Sequence, residues 1–263
     1  MLKFCSLYSG SSGNSLFIES NESKILIDCG VSCKKLSEAL ISLNTSIEDI
    51  DAIFITHEHS DHIKGLKIIS DKYNIPIYAN KDTLLEIKKT FKGSINENIF
   101  NEFKNNKDFN FKDLNIHPFD IPHDAANPCG FSIDNGKKKL SIATDCGHVN
   151  DVIMNNLENS SFILLESNYD PSILQVSKYP YRLKERIKGP LGHLSNNTAA
   201  QTISYLVGKD LKEVMLGHLS KENNFPELAY QTVTDTLIDN NIDTSKIKIS
   251  VASRDYPGRI IKI

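Results

Sequence analysis

No run of this chain approaches the roughly 18–20 consecutive apolar residues that a membrane-spanning helix requires, so no membrane partner is expected. Cysteine is scarce and unpatterned. Cys5, Cys29, Cys33, Cys129 and Cys146 form an odd set without regular spacing, which argues against a disulfide framework and for a reducing, cytoplasmic location. The opening Met1-Leu2-Lys3-Phe4 enters a strand-like pattern at once and has no signal-peptide layout. Positive charge is not in excess: 30 Lys and Arg stand against 33 Asp and Glu. Nothing therefore attracts nucleic acid globally, and any such binding must come from a local patch. Repeats and linkers are also missing, so one domain spanning 1–263 is expected.

What is present is an α/β pattern. At 40% hydrophobic content the 263 residues can bury a sizeable core. Short apolar strands are expected at Phe4–Leu7, Leu16–Ile18, Lys24–Ile27, Ala52–Ile55, Ile75–Tyr78, Phe111–Ile116, Gly130–Ile133, Leu140–Ala143, Phe162–Leu165, Val214–Leu216, Lys248–Val251 and Ile260–Lys262. Ile63, Leu66, Ile69 and Tyr73 recur at helical spacing. So do Ala199, Ile203, Leu206 and Val207, with Ser195 as N-cap and Gly208 at the end. Pro226 suits the first turn of a later helix carrying Ala229, Val233 and Leu237. Two mixed sheets flanked by helices accommodate so many strands better than one doubly wound sheet. The Lys/Asn-rich stretch 92–110 reads as a surface excursion.

Directly after Ile53-Phe54-Ile55 comes Thr56-His57-Glu58-His59-Ser60-Asp61-His62. Such a cluster cannot sit in an apolar core, where each unpaired polar group costs roughly 1–3 kcal/mol. A divalent metal is the commonest compensating centre for clustered histidines. Further donors follow other strands: His123, Asp145 after Leu140–Thr144, and His218 after Val214–Gly217. Strand ends are where open α/β layers place their sites. If they converge, five histidines and two aspartates meet, which suits two divalent ions bridged by a carboxylate. Taken singly, His123 and His218 read as ordinary hydrogen-bonded histidines, as do His117 and His148. Cys29 and Cys146 read as small buried thiols.

This arrangement resembles the metallo-β-lactamase superfamily over nearly the whole chain. The resemblance implies a four-layer αβ/βα sandwich. It also implies one metal on His57, His59 and His123 and a second on Asp61, His62 and His218, with Asp145 bridging. Asp61 resembles the residue that orients the attacking water, and Asp28 in Ile27-Asp28-Cys29-Gly30 resembles a supporting carboxylate. Zinc or manganese, with iron possible, fit such donors.

Glu166 closes a strand and His193 opens a helix, as in phosphodiesterases such as RNase Z, where a Glu–His pair outside the metal ligands helps protonate the leaving oxygen. A plain hydrogen bond at a helix start is the alternative. Lys178, Arg182, Lys184, Arg186 and Lys188 put five cations against Glu185 in eleven residues, with Tyr179 and Tyr181 interleaved. They could track a phosphate backbone and stack bases, or form a solvated amphipathic helix. Ser11, Ser12 and Asn14 lie in a glycine–serine loop that could bind an anion or simply turn.

The spacing leaves little room for an RNase Z substrate arm or a β-CASP insertion. Ser9–Ser15, THEHSDHIKGL at 56–66, LSIATDCG at 140–147, ESNYD at 166–170 and GHLSNNTAA at 192–200 are similar to the WalJ/YycJ (VicX) family. That resemblance implies a 5′-to-3′ exodeoxyribonuclease acting on double-stranded DNA, with an associated mismatch-repair role. A small-molecule cyclic phosphodiesterase is the alternative. A thioesterase or lactonase, or a module merely stapled by metal, follows behind.

Overall fold

In the computed structural model, which describes residues 1–263, fourteen strands form two seven-stranded sheets. The first holds β1 (Lys3–Tyr8), β2 (Ser15–Glu19), β3 (Lys24–Ile27), β4 (Ala52–Phe54), β5 (Ile77–Asn80) and β6 (Phe100–Phe103) in that order. The second runs from β7 (Phe109–Phe111) through β8 (Leu114–Asp120), β9 (Cys129–Asp134), β10 (Lys139–Ala143), β11 (Phe162–Glu166) and β12 (Glu213–Gly217) to β13 (Lys248–Val251). The last strand, β14 (Ile261–Lys262), returns to pair antiparallel with β1. Each sheet consists of three antiparallel ladders followed by three parallel ones.

Three apolar layers hold this together. Phe4, Ile18, Phe54, Phe131 and Phe162 fill the space between the sheets, and the Phe4 and Phe162 rings lie 4.6 Å apart. Burying each such side chain contributes roughly 1.5–3 kcal/mol. Outside the first sheet, α1 (Cys33–Ser42), α3 (Leu66–Tyr73) and α4 (Lys81–Thr90) set Leu36, Leu40, Leu66, Ile69 and Ile87 against it. Outside the second, α5 (Asp151–Leu157), α8 (Asn196–Leu206) and α9 (Pro226–Asp239) contribute Ile153, Ile203, Val233 and Leu237. This is the four-layer sandwich expected from sequence. Ser195 caps α8 by accepting from the Thr198 amide (3.1 Å), and Pro226 occupies the first turn of α9.

Several expectations are corrected. The stretch 92–110 is no simple excursion: it carries β6, paired parallel with β5, and the start of β7. Asn101, Glu102 and Asn110, interleaved with Phe100, Phe103 and Phe109 in these short strands, hide their apolar signal. The strand expected at Phe111–Ile116 is a hairpin of β7 and β8, turning where Lys112 takes φ +52°. The strand expected at Ile75–Tyr78 begins two residues later, at Ile77. The helix suggested by Ile63–Tyr73 is split into α2 (Ser60–Ile63) and α3. Gly65 is pinched there against the loop after β3: its amide bonds the Cys29 carbonyl (2.9 Å), and a Cβ would meet the Val31 oxygen at 2.1 Å.

Candidate metal centre

The parallel ladders bring their carboxyl ends to one edge. Asp28 follows β3, residues 57–62 follow β4, Asp145 follows β10, Glu166 ends β11, and His218 follows β12. Asp28, Asp145 and His218 all turn with left-handed φ values of +62°, +57° and +55°. For non-glycine residues that geometry costs about 1–3 kcal/mol each, and such strain clusters at functional sites.

All seven expected metal donors converge. The donor atoms of His57, His59 and His123 lie within 4.8 Å of one another, as do those of Asp61, His62 and His218. Asp145 faces both sets, at 3.8 Å from His123 Nε2, 3.2 Å from His62 Nε2 and 3.4 Å from His218 Nε2. Four of the five imidazoles have Nδ1 held from outside. Thr56 Oγ1 meets His57 (3.0 Å), Asp28 Oδ2 meets His62 (2.7 Å), the Gly192 carbonyl meets His123 (3.1 Å) and Glu166 Oε1 meets His218 (2.8 Å). Such outer contacts fix ring orientation and leave Nε2 for a metal.

Three buried atoms, His57 Nε2, His218 Nε2 and Asp145 Oδ2, have no hydrogen-bond partner. Stranding each would cost about 1–3 kcal/mol, so the donor set fits a cation that satisfies all three. Burial alone would raise Asp145, but His218 and His62 hold its carboxyl well below the usual range. Burial opposes charge on His218 too, yet Asp145, Asp61 and Glu166 raise it to about 10. His62 is likewise raised well above its ordinary value, against burial, by Asp28, Asp145 and Asp61. His57 goes the other way, lowered by burial and by His62. Cys29 and Cys146 are buried thiols whose ionisation burial suppresses; Cys146 Sγ donates to the His148 carbonyl.

Glu166 and His193 do meet: Glu166 Oε1 contacts His193 Nδ1 at 2.8 Å while its Oε2 accepts from the Cys146 and Leu194 amides. Burial resists charge on His193, but Glu166 raises its pKa, and Glu166 is itself held down at about 2 against the effect of burial. His193 lines a cleft of about 210 Å³ with His59, Asp61, His123, Asp145 and His218.

The expected nucleic-acid residues divide. Ser11, Tyr179 and Arg186 line the cleft. Lys178, Tyr181 and Arg182 are exposed at or beside α7 (Tyr181–Lys188). Ser12 is exposed but away from the cleft lining. Lys184 does not face outward for phosphate: its Nζ donates to the Gln175 and Ser177 carbonyls (both 2.7 Å), closing the end of α6 (Pro171–Val176). Arg186 is gripped by Asp124 through Nε (2.6 Å) and Nη2 (3.0 Å). Asn14 is buried rather than presented to an anion; its Nδ2 approaches Asp61 Oδ2 (3.3 Å) and His62 Nε2 (3.1 Å).

Sequence reasoning missed Thr56, Asn168 and Asp124. Thr56 contacts Asp28, His57 and His62 at once, and Asn168 donates to the His218 carbonyl (2.7 Å). Their only sequence signal is adjacency to donors, which does not distinguish a contact from a neighbour. His117 pairs with Asp108 and His148 meets the Pro190 carbonyl, both away from the cluster.

Comparison with known proteins agrees with this geometry. A family model described as a beta-lactamase superfamily domain matches residues 23–218. The chain is 40% identical over 236 residues to exodeoxyribonuclease WalJ of Streptococcus pneumoniae serotype 2 (strain D39), covering 89% of this chain and 88% of that one. It is 35% identical to exodeoxyribonuclease YycJ of Bacillus anthracis, covering 90% and 89%. Among solved structures, the metallo-beta-lactamase fold protein YhfI from Bacillus subtilis superposes with a TM-score of 0.71 at 15% identity, covering 98% of this chain and all of that one. The family match over most of the chain and this extent of identity lead to one assignment: the chain belongs to the metallo-β-lactamase superfamily, within its WalJ/YycJ family.

Proposed function

We propose that this protein is a metal-dependent phosphodiesterase that degrades DNA from a 5′ end, as an exodeoxyribonuclease. The observation that carries the reading is His193, held by Glu166, lining the same cleft as five of the seven metal donors. Relatives at 35–40% identity are named exodeoxyribonucleases.

His57, His59 and His123 would hold one divalent ion and Asp61, His62 and His218 another, with Asp145 shared; zinc or manganese suits the donors. Bound there, the ions would neutralise phosphate charge and lower the pKa of water from about 15.7 toward 7. Asp61 is only partly buried, and His62 and His218 keep it a carboxylate against the burial that opposes this. It orients the attacking water and accepts its proton. Water oxygen bonds to phosphorus as the bond to the leaving oxygen breaks. His193, whose Nδ1 is engaged by Glu166, has Nε2 free to donate a proton to that oxygen. Tyr179 in the cleft lining and the exposed Lys178 and Arg182 would meet the strand, and Arg186 would do so by leaving Asp124.

One folding unit over 1–263 belongs to the same proposal, since the inter-sheet core draws on both Leu2 and Ile261. So does a reducing cytoplasm, consistent with five unpaired thiols.

End-labelled duplex DNA and cyclic nucleotides, each with Mn²⁺ or Zn²⁺, provide the test. Progressive loss from the 5′ end is expected, with His193→Ala slowing it by about 10²–10⁴-fold while metal is retained. Turnover of cyclic nucleotides alone would instead favour a small-molecule phosphodiesterase.

A further inference from the structure

The catalytic cleft is small, and part of the basic stretch beside it is already engaged: Lys184 by carbonyls, Arg186 by Asp124 and Lys188 by Glu185. A larger groove, of about 560 Å³, lies beyond the ends of β12 and β13. Two segments join groove and cleft. Ser220 lines the cleft while Leu219 and Lys221 line the groove; Ser11 lines the cleft while Ser9 lines the groove. Ser9 is also tied to both sides, accepting from the His218 amide (2.8 Å) and donating its own amide to Ser253 (3.1 Å).

The groove's chemistry is mixed in a particular way. Phe225 and Tyr256 on its walls are 48% and 67% exposed, so their faces are open to a ligand. Lys221 and Arg254 line it with Glu227 and Asp255, while Arg259 is engaged by Glu213 (3.3 Å). Arg254 spends one donor on the Leu219 carbonyl (2.7 Å), which fixes the guanidinium while leaving donors free. Exposed rings beside two cations that keep donors free suit a single nucleic-acid strand, whose bases offer faces and whose backbone offers phosphates.

We propose that this groove carries the substrate strand away from the scissile phosphate as a single-stranded DNA path, with Phe225 and Tyr256 stacking bases and Lys221 and Arg254 meeting phosphates. The proposal rests on the nuclease reading above. It adds a substrate-binding element from the C-terminal segment, beyond the family match at 23–218.

The test compares kcat and KM of the full-length, metal-loaded protein on a dinucleotide, a longer single-stranded oligonucleotide and bis(p-nitrophenyl) phosphate. Tyr256→Ala and Phe225→Ala should each raise KM for the long strand about tenfold while leaving kcat and both small substrates unchanged. Arg254→Gln should reduce the slope of log KM against log salt by about 0.7. The unchanged small-substrate rates show that the variants are folded. Long-strand KM and salt slope identical to wild type in all three variants would overturn the path while leaving the nuclease reading intact. A wild-type protein that hydrolyses bis(p-nitrophenyl) phosphate but neither single-stranded nor duplex DNA would overturn the nuclease reading, and the path with it.

Discussion

His62 shows how one side chain is specified by its neighbours. Its Nδ1 is held by Asp28 and its Nε2 faces Asp61 and Asp145. In the metal-free protein, against burial, the surrounding carboxylates raise both His62 and His218, His218 to about 10, which favours a proton on each ring. A metal requires the lone pair, so loading must expel those protons. Adding Zn²⁺ to metal-free protein in weak buffer near pH 7 should therefore release protons, with release falling as pH approaches the raised values. No acidification at saturating metal would contradict the assignment of these two imidazoles as ligands. The donors themselves were legible because His57, His59, Asp61 and His62 are contiguous and the rest follow strands. Asn14 and Thr56 were not. Their contribution lies in which atoms they touch, and a buried Asn in a glycine–serine loop looks the same in sequence as one that binds an anion.

At the scale of elements, backbone proximity rather than side-chain pattern builds the site. The loops after β1 and β3 press on the histidine segment: the Asn14 amide bonds the Asp61 carbonyl (2.7 Å), and the Cys29 amide bonds that of His62 (2.7 Å). Gly30 makes this possible, since a Cβ there would lie 1.6 Å from the Asp61 oxygen. Gly30→Ala should force the two loops apart, costing about 1–3 kcal/mol and lowering metal affinity with it. Calorimetry and a competitive-chelator titration would detect both; wild-type values in each would refute the close-packing argument. The strands of the two inner sheets were readable from short apolar runs, because a buried strand must be apolar. β6 and β7 escaped because Phe-Asn-Glu-Phe and Phe-Asn-Phe are short and sit in a Lys/Asn-rich stretch whose polarity masks them. The break between α2 and α3 escaped because helical periodicity continues across Gly65, and only the tertiary approach to Val31 interrupts it.

For the molecule as a whole, the two sheets are joined by one core and by one set of donors drawn from both. Asp28 and residues 57–62 come from the first sheet, His123, Asp145 and His218 from the second. A cation bound by both halves should therefore stabilise the fold. Chelation of protein held at about 100 times its metal dissociation constant should remove about 2.7 kcal/mol, lowering Tm by roughly 5–11 °C for a chain of this size. Unfolding should remain a single transition. Two separated transitions, or a Tm indifferent to chelator, would mean that the halves fold independently of the site.

The central claim is that donors from distant segments gather divalent ions whose presence makes the cleft a DNA hydrolase. Titrating Mn²⁺ into metal-free protein while following degradation of 5′-labelled duplex DNA and the metal bound per chain tests it most directly. Degradation should be absent at the start, rise with occupancy and level off at two ions per chain. Full activity in the metal-free protein, or none at complete occupancy, would contradict it.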